Sequence, residues 1–332
     1  MTIRIGIIGA SGHFGYVLDG LRQMPDAQLV AVAPGCPEED IGKLLANPAV
    51  VAAQPAVYGD YREMLDRGRL DVVAVNPFYY LHDTISAEAL RRGVAPFCEK
   101  PLALDLRALE ALRQVQQAVG LPVGIMLAFR YEPRFYTAQR LVAAGAIGEA
   151  TVGYAQKSYK LGTRPVFYKK RETFGGLIPW VGIHAIDWFQ FVSGRRYVAV
   201  TARHSNLHAP QYPGTEDNAA CLFELDNGGS AVMSFDFLRP AGAPSHGDDR
   251  LRLIGSQGCL DIREPGVLEV ITREGPQAVT PEPPPLGIFA DWARSVLDRG
   301  HRCLLPTEEA FAITEVALKA REAADRGVRV TL

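Results

Sequence analysis

Within the first 125 residues, short apolar runs alternate with helical patterns, and few folds accommodate that alternation. Residues 3–8 (Ile-Arg-Ile-Gly-Ile-Ile) read as a buried strand, with 12–23 as the helix after it. Residues 29–33, 72–75 and 95–98 supply further strands, 83–92 look helical, and 122–127 form another strand. The clearest helix is 105–119. Leu106, Leu109, Leu112 and Val115 recur every three residues, Asp105 can cap the start, and Gly120 suits the stop. Such alternation predicts a parallel sheet with helices on both faces.

The second half changes character. Pro133 suits the first turn of a helix running to Gly145. Long alternating runs follow at 150–159, 197–208, 217–225 and 230–238. The last two flank Asp226-Asn227-Gly228-Gly229, a hairpin signal because Asn-Gly readily adopts positive φ. A proline-rich stretch at 281–285 reads as a stiff linker before closing helices at 287–298 and 307–324. The expected fold is α/β: a parallel-sheet domain over 1–125, then an α+β domain with a mostly antiparallel sheet over 126–332.

A length of 332 residues allows two cores, and 48% hydrophobic with 22% charged residues is ordinary for a soluble protein. A net charge of -2 supplies no field for nucleic acid or an anionic membrane. Five scattered cysteines, never paired as CxxC, argue against a disulfide framework or a zinc site, and no metal is expected. With no basic-then-apolar leader before Ile3 and no apolar run of about eighteen residues, the expectation is a cytoplasmic protein.

Gly9-Ala10-Ser11-Gly12-His13-Phe14-Gly15 sits after the first strand and opens the first helix. Glycines there allow a tight turn and close approach of backbone N–H groups to a pyrophosphate. Ser11 stands at the second glycine of the usual fingerprint. The second strand ends Ala33-Pro34-Gly35-Cys36, without the acid that grips an adenosine ribose, while Glu38, Glu39 and Asp40 follow closely. The cofactor expected is NAD or NADP, with a slight lean to NAD. Lys100 follows a buried strand and precedes Pro101, at the lip of a parallel sheet where ligands bind. A lysine there can serve as acid or base; the alternative is a solvated surface lysine.

The glycine turn, Asn76-Pro77, His82, Glu99-Lys100-Pro101, Arg130-Tyr131-Glu132-Pro133, and the segment from Gly175-Gly176 through His184 to Asp187 together resemble the Gfo/Idh/MocA oxidoreductases. The tail from Leu297 to Leu332 does too, so the resemblance covers nearly the whole chain. It implies a Rossmann domain followed by a large open sheet used for subunit contact, hence a homodimer or homotetramer. It also implies redox chemistry on sugars, cyclitols or related polyols with NAD or NADP. Asn76, Pro77, His82 and Glu99 are then expected to join the glycine turn and Lys100 around the cofactor, and Arg130 to reach the substrate. The resemblance assigns Lys100 to the reacting hydroxyl and His184 to the proton relay.

It further expects an aspartate one helical turn before that histidine, on the same face, where this chain has Trp180. Trp180 can present a flat face to a sugar ring or fill core beside Trp188 and Phe189. Asp187 does not simply fill the vacancy, since family members carry it as well; its plainer place is a helix surface or a supporting carboxylate. Lys157, Lys160, Arg164, Lys169, Lys170 and Arg171 crowd one connection, interleaved with Tyr159, Phe167 and Tyr168. Arg164 and Tyr168 there suit an acidic or phosphorylated substrate, or the stretch is a solvated or subunit-contacting loop. Three functions stay open: an NAD(P)-dependent sugar, cyclitol or sugar-acid oxidoreductase; a cofactor-binding regulator that has lost catalysis; and a redox-assisted elimination or epimerisation enzyme.

Overall fold

The computed structural model describes residues 2–298 and 300–332. Its first part follows the predicted alternation. In chain order come β1 (Ile3–Ile8), α1 (Gly15–Leu21), β2 (Ala27–Ala33), α2 (Gly42–Leu45), α3 (Pro48–Ala53), β3 (Ala56–Val57) and α4 (Tyr61–Arg67). Then follow β4 (Val72–Val75), α5 (His82–Arg91), β5 (Ala95–Cys98), α6 (Leu106–Val119) and β6 (Gly124–Ile125). All six strands are parallel, in the order β3-β2-β1-β4-β5-β6. β4 and β5 are buried at every residue and read as continuous apolar runs, as a sheet covered on both faces requires. The strand order changes direction between β1 and β4, and such a switch point opens a crevice at the carboxyl ends of the strands.

Local signals explain the elements. The Asp105 carboxylate accepts from the backbone N–H groups of Arg107 and Ala108, and Gly120 closes α6 at φ 73°. Helix α1 begins at Gly15 rather than Gly12, because the residues before it form the turn. β6 is shorter than the predicted 122–127. Helices α2 to α4 escape a periodicity reading because each has at most seven residues, although Asn47 and Asp60 cap two of them.

The second part holds α7 (Pro133–Ala143), β7 (Ala150–Tyr159), α8 (Arg171–Phe174), α9 (Ile183–Ser193), β8 (Tyr197–Ser205), β9 (Asn218–Leu225) and β10 (Ser230–Asp236). Four more strands, β11 (Gly247–Gly255), β12 (Gly258–Arg263), β13 (Val267–Thr272) and β14 (Gly275–Ala278), extend one edge. After them come α10 (Ile288–Leu297), α11 (Thr307–Arg326) and β15 (Val330–Thr331). The nine strands run β14-β13-β12-β11-β7-β10-β9-β8-β15. Every pairing is antiparallel except β7 with β10. The predicted hairpin joins β9 to β10, but only Gly228 takes positive φ, at 82°. Asn227 instead contributes its side chain, donating to the Ala150 carbonyl and accepting from the Gly229 N–H.

Helix α9 lies almost wholly buried on the inner face of this sheet. Gly153 of β7 makes room for it: a Cβ there would come within 2.1 Å of the Phe189 ring. Contacts group Met1–Leu127 with Pro285–Thr314, and Ala128–Pro284 with Glu315–Leu332. A division at 125/126 therefore leaves out one return of the chain. α10 packs on α1, where Phe289 sits against Gly20, and Trp292 stacks on Phe97 of β5 at 5.0 Å.

Candidate active site

In the first unit, the glycine turn is packed against two neighbouring strand ends. Gly9 has φ 79°, and a Cβ there would lie 2.5 Å from Pro77 Cα. A Cβ on Gly12 would meet Asn76 Oδ1 at 2.7 Å and Glu99 Oε2 at 2.8 Å. Glycine is needed at both positions for this close approach. The Ser11 N–H donates to the Asn76 carbonyl at 2.8 Å. Phe14 is buried at the start of α1.

Two carboxylates reach the turn. Glu39, six residues beyond the end of β2, turns back to it. Its Oε1 accepts from the Ala10 N–H and the Ser11 hydroxyl (3.1 and 2.6 Å), and its Oε2 from the Gly35 N–H at 2.8 Å. Glu99, fully buried, accepts from the His13 N–H at 2.8 Å and approaches His13 Nδ1 at 2.5 Å. Its other oxygen accepts from the Lys100 N–H at 2.9 Å. Burial alone raises a carboxyl pKa, but the charge and hydrogen bond of His13, with Lys100 and His82, hold Glu99 at about 2. The lysine itself is buried, not solvated.

The Asn76 side chain is fully buried, and neither its nitrogen nor its oxygen has a partner among the described residues. An unsatisfied buried amide beside two side-chain-free turn positions, at a switch point, fits a dinucleotide. His82 is held inside the unit. It is fully buried, with Nδ1 2.8 Å from the Pro101 carbonyl and Nε2 3.3 Å from that of Pro77. The shorter contact marks Nδ1 as the donor, and desolvation lowers the ring's pKa toward the neutral form. His82 thus ties the Pro101 loop to the end of β4 from inside.

In the second unit, three expected substrate residues lie in the interior. Arg130 is buried and donates through Nε and Nη2 to Asp187 Oδ1 at 2.9 and 2.7 Å. Its guanidinium also covers the Phe191 ring. Asp187 is accordingly the internal partner of Arg130, anchoring α9. Tyr168 is buried, stacked on Phe174 at 4.3 Å. Trp180 is 6% exposed and meets Tyr168 edge-on, which favours its core-filling reading over a sugar platform.

Trp180 also lies within a π-helical turn, Ile178–Gly182, that leads directly into α9. That wider turn breaks the one-α-turn spacing to His184 on which a shared face depends. Gly176 at φ 101° admits the chain to it, and Gly182 packs on Phe235, where a Cβ would lie 2.7 Å from the ring. His184 is buried and meets the Phe129 ring edge-on at 5.3 Å.

The basic stretch does not form one patch. Lys157 faces inward from β7, its ammonium 2.7 Å from Asp249 and 3.9 Å from the centre of the Phe129 ring, with Tyr159 and Trp188 also around it. Desolvation outweighs the ion pair and lowers the Lys157 pKa to about 8, while burial pushes Asp249 up. Lys160 donates to the Ala243 carbonyl. Arg171 pairs with Glu216 and lies 3.5 Å from Asp325. It thereby supplies positive charge where His204, Glu216 and Asp325 converge. Arg164 is half-buried over the rings of Tyr168 and Phe237, and Lys169 and Lys170 are exposed.

Known proteins match over both units. The profile of an oxidoreductase family with an NAD-binding Rossmann fold covers residues 3–126, and that of the GFO/IDH/MocA C-terminal domain covers 135–261. An inositol 2-dehydrogenase of Rhizobium meliloti is 28% identical over 284 residues, spanning 83% of this chain and 80% of its own. A D-apiose dehydrogenase of Paraburkholderia graminis is 26% identical over 273 residues, 81% of this chain and 70% of its own. A solved structure from Thermotoga maritima, classed as an oxidoreductase, superposes with a TM-score of 0.95 at 41% identity, covering 99% of this chain and all of that one.

Proposed function

Because the chain belongs to the Gfo/Idh/MocA family of NAD(P)-dependent oxidoreductases, we propose that its substrate is a CH–OH group of a sugar, cyclitol or sugar-derived acid. Relatives named for inositol and D-apiose support that substrate class. The dinucleotide is held by Gly9, Ser11, Gly12, His13 and Phe14, with Asn76, Pro77 and Glu99. Bound there, its nicotinamide supplies the acceptor or donor of a hydride. Lys100 exchanges the hydroxyl proton, and His184 assists as relay. The observation that carries this reading is Lys100 itself, buried at the end of β5 beside a carboxylate kept charged.

Glu39, fixed at the glycine turn, opposes a 2′-phosphate by like-charge repulsion, so NAD is the preferred form. Lys100→Met tests the assignment on NAD(P)+-coupled oxidation of a panel of polyols and sugar acids. Turnover is expected to fall by about 10²–10⁴-fold while NADH affinity stays within about twofold. Unchanged turnover would remove Lys100 from the chemistry.

Trp180 cannot accept a proton, and the second reading is an elimination or epimerisation that recycles its bound dinucleotide. Substrate consumed without accumulation of reduced cofactor would select it. The outer face of the nine-stranded sheet carries Tyr154, Leu222 and Val232 side by side, at 48%, 48% and 46% exposure. Such an apolar row suits a homodimer or homotetramer, which light scattering tests. No helix among the described residues is long and apolar enough to cross a membrane. Five free cysteines accord with the cytoplasm.

A further inference from the structure

We propose that Glu216 is a positioning residue for His184: it caps, from 39 positions away, the helical run that carries that histidine. Leu177, the π-helical turn Ile178–Gly182 and α9 follow one another without a break. The first N–H groups of such a run have no partners inside it and need acceptors from elsewhere. The residues at its head offer none from their side chains, being Phe174, Gly175, Gly176 and Leu177.

Glu216 fills that need. Its Oε2 accepts from the Leu177 N–H at 2.8 Å, and its Oε1 is held by Arg171 Nη2. His204 Nδ1 lies 3.6 Å from the same Oε1, which leaves Oε2 to the helix. On the other side of Gly176, the Gly175 carbonyl accepts from Arg321 Nη1 at 2.6 Å. The Gly176 carbonyl accepts from the Trp180 N–H at 3.2 Å. Both peptide units flanking Gly176 are therefore tied. This close fit requires glycine, since a Cβ at position 176 would lie 2.7 Å from Arg171 Nη1 and 3.1 Å from Glu216 Oε2.

The acceptor is itself fixed in place. Glu216 is buried between Thr215, whose hydroxyl donates to the Tyr168 carbonyl at 2.6 Å, and Asp217, whose Oδ2 accepts from the Leu207 and His208 N–H groups. Gly214 packs so closely on the next strand of chain that a Cβ there would sit 2.6 Å from the Arg171 backbone nitrogen.

A π-helical turn closes i→i+5 bonds and so holds one residue more than an α-helical turn. Buried α9 anchors one end of the turn, with Gly182 against Phe235, and Glu216 anchors the other. The extra residue is trapped between the two anchors. Without the cap it can unwind toward Gly176, and the first residues of α9, His184 among them, lose their fixed orientation. A misplacement of about 1 Å can cost about 100-fold in rate, so Glu216 acts on turnover without touching substrate. That consequence rests on the reading of His184 as proton relay; the cap itself does not.

Hydrogen exchange and a double-mutant cycle on the full chain test the two parts separately. In Glu216→Ala, segment 177–184 should exchange about fivefold faster, whereas Glu216→Gln keeps an acceptor for the Leu177 N–H and should stay within about twofold of the parent. With NAD+ and a polyol that turns over, Glu216→Ala should lower kcat by about 10–100-fold and leave KM and NADH affinity within about twofold. Recovery in Glu216→Gln, and no further loss when Glu216→Ala is added to His184→Asn, support positioning. Additive losses indicate a general defect of the fold and would overturn the proposal, as would unchanged exchange or unchanged kcat in Glu216→Ala. Should that variant fail to fold, Arg321→Met frees the Gly175 carbonyl and is read by the same exchange and the same cycle. If His184→Asn itself leaves turnover unchanged, the relay reading fails, and the exchange alone decides the cap.

Discussion

Glu99 in the first unit and the Lys157–Asp249 pair in the second are both buried, yet their environments act in opposite directions. Glu99 receives two backbone N–H groups and the His13 ring, and its pKa falls to about 2. Lys157 has one close carboxylate within an aromatic surround, and its pKa falls to about 8, toward the uncharged amine. Burial costs both groups their hydration. The difference lies in what replaces the water: the charge and hydrogen bond of His13, with the charge of Lys100, keep Glu99 ionised, while the single partner Asp249 does not offset desolvation at Lys157. Arg130–Asp187 lies between these cases, an ion pair buried on both sides but with two donors on one oxygen.

The largest expected effect separates these pairs. Arg130→Met removes both guanidinium donors from the Asp187 carboxylate inside the protein and should lower stability by about 3–5 kcal/mol in urea unfolding. A loss below about 1 kcal/mol would place Arg130 with the dispensable ion pairs. Next in size is Glu99→Gln, which weakens charge-assisted hydrogen bonds and should cost about 2 kcal/mol at neutral pH. Because the folded pKa of Glu99 lies below its ordinary 4.5, its contribution is present above that value and lost as pH falls toward about 2. Flattening of the acid limb of the stability–pH curve in Glu99→Gln is the accompanying sign.

The alkaline limb tests the other side of the comparison. Below pH 8, Lys157 is charged in both folded and unfolded states, and burying that charge is a constant cost. Between about 8 and its ordinary 10.5, the unfolded chain keeps a proton that the folded chain has released. This group therefore makes stability rise with pH across that window. Lys157→Met should remove the rise. The smallest effect is expected from Lys157→Met combined with Asp249→Leu, which replaces the pair with apolar groups and should leave stability within about 1 kcal/mol of the parent, or increase it. A loss of several kcal/mol would show that the pair is worth more than its burial costs.

Local signals made the first unit's framework legible in the sequence. Strand alternation, the Asp105 cap and the Gly120 stop all act over a few residues, and so does the placement of Lys100 at a strand end. Long-range partners were not legible. Nothing near Arg130 announces Asp187, 57 positions away, and nothing at the end of β2 shows that Glu39 turns back to Ser11. Lys157 was obscured by its basic neighbours, although its parity with Gly153 and Ala155 in β7 marks the inward face. The π-helical turn defeats reasoning from α-helical spacing at Trp180. Helix α10 carries an apolar face whose partners, Gly20, Phe97 and Gly124, lie far back in the chain.

The most direct measurement is equilibrium titration of the purified protein with NADH and with NADPH, followed by nicotinamide emission and tryptophan quenching. Saturable binding is expected, tighter for NADH, with the preference reduced about tenfold in Glu39→Gln. Absence of binding by either dinucleotide at millimolar concentration would contradict the account, leaving the glycine turn and the unsatisfied Asn76 amide without their assigned ligand.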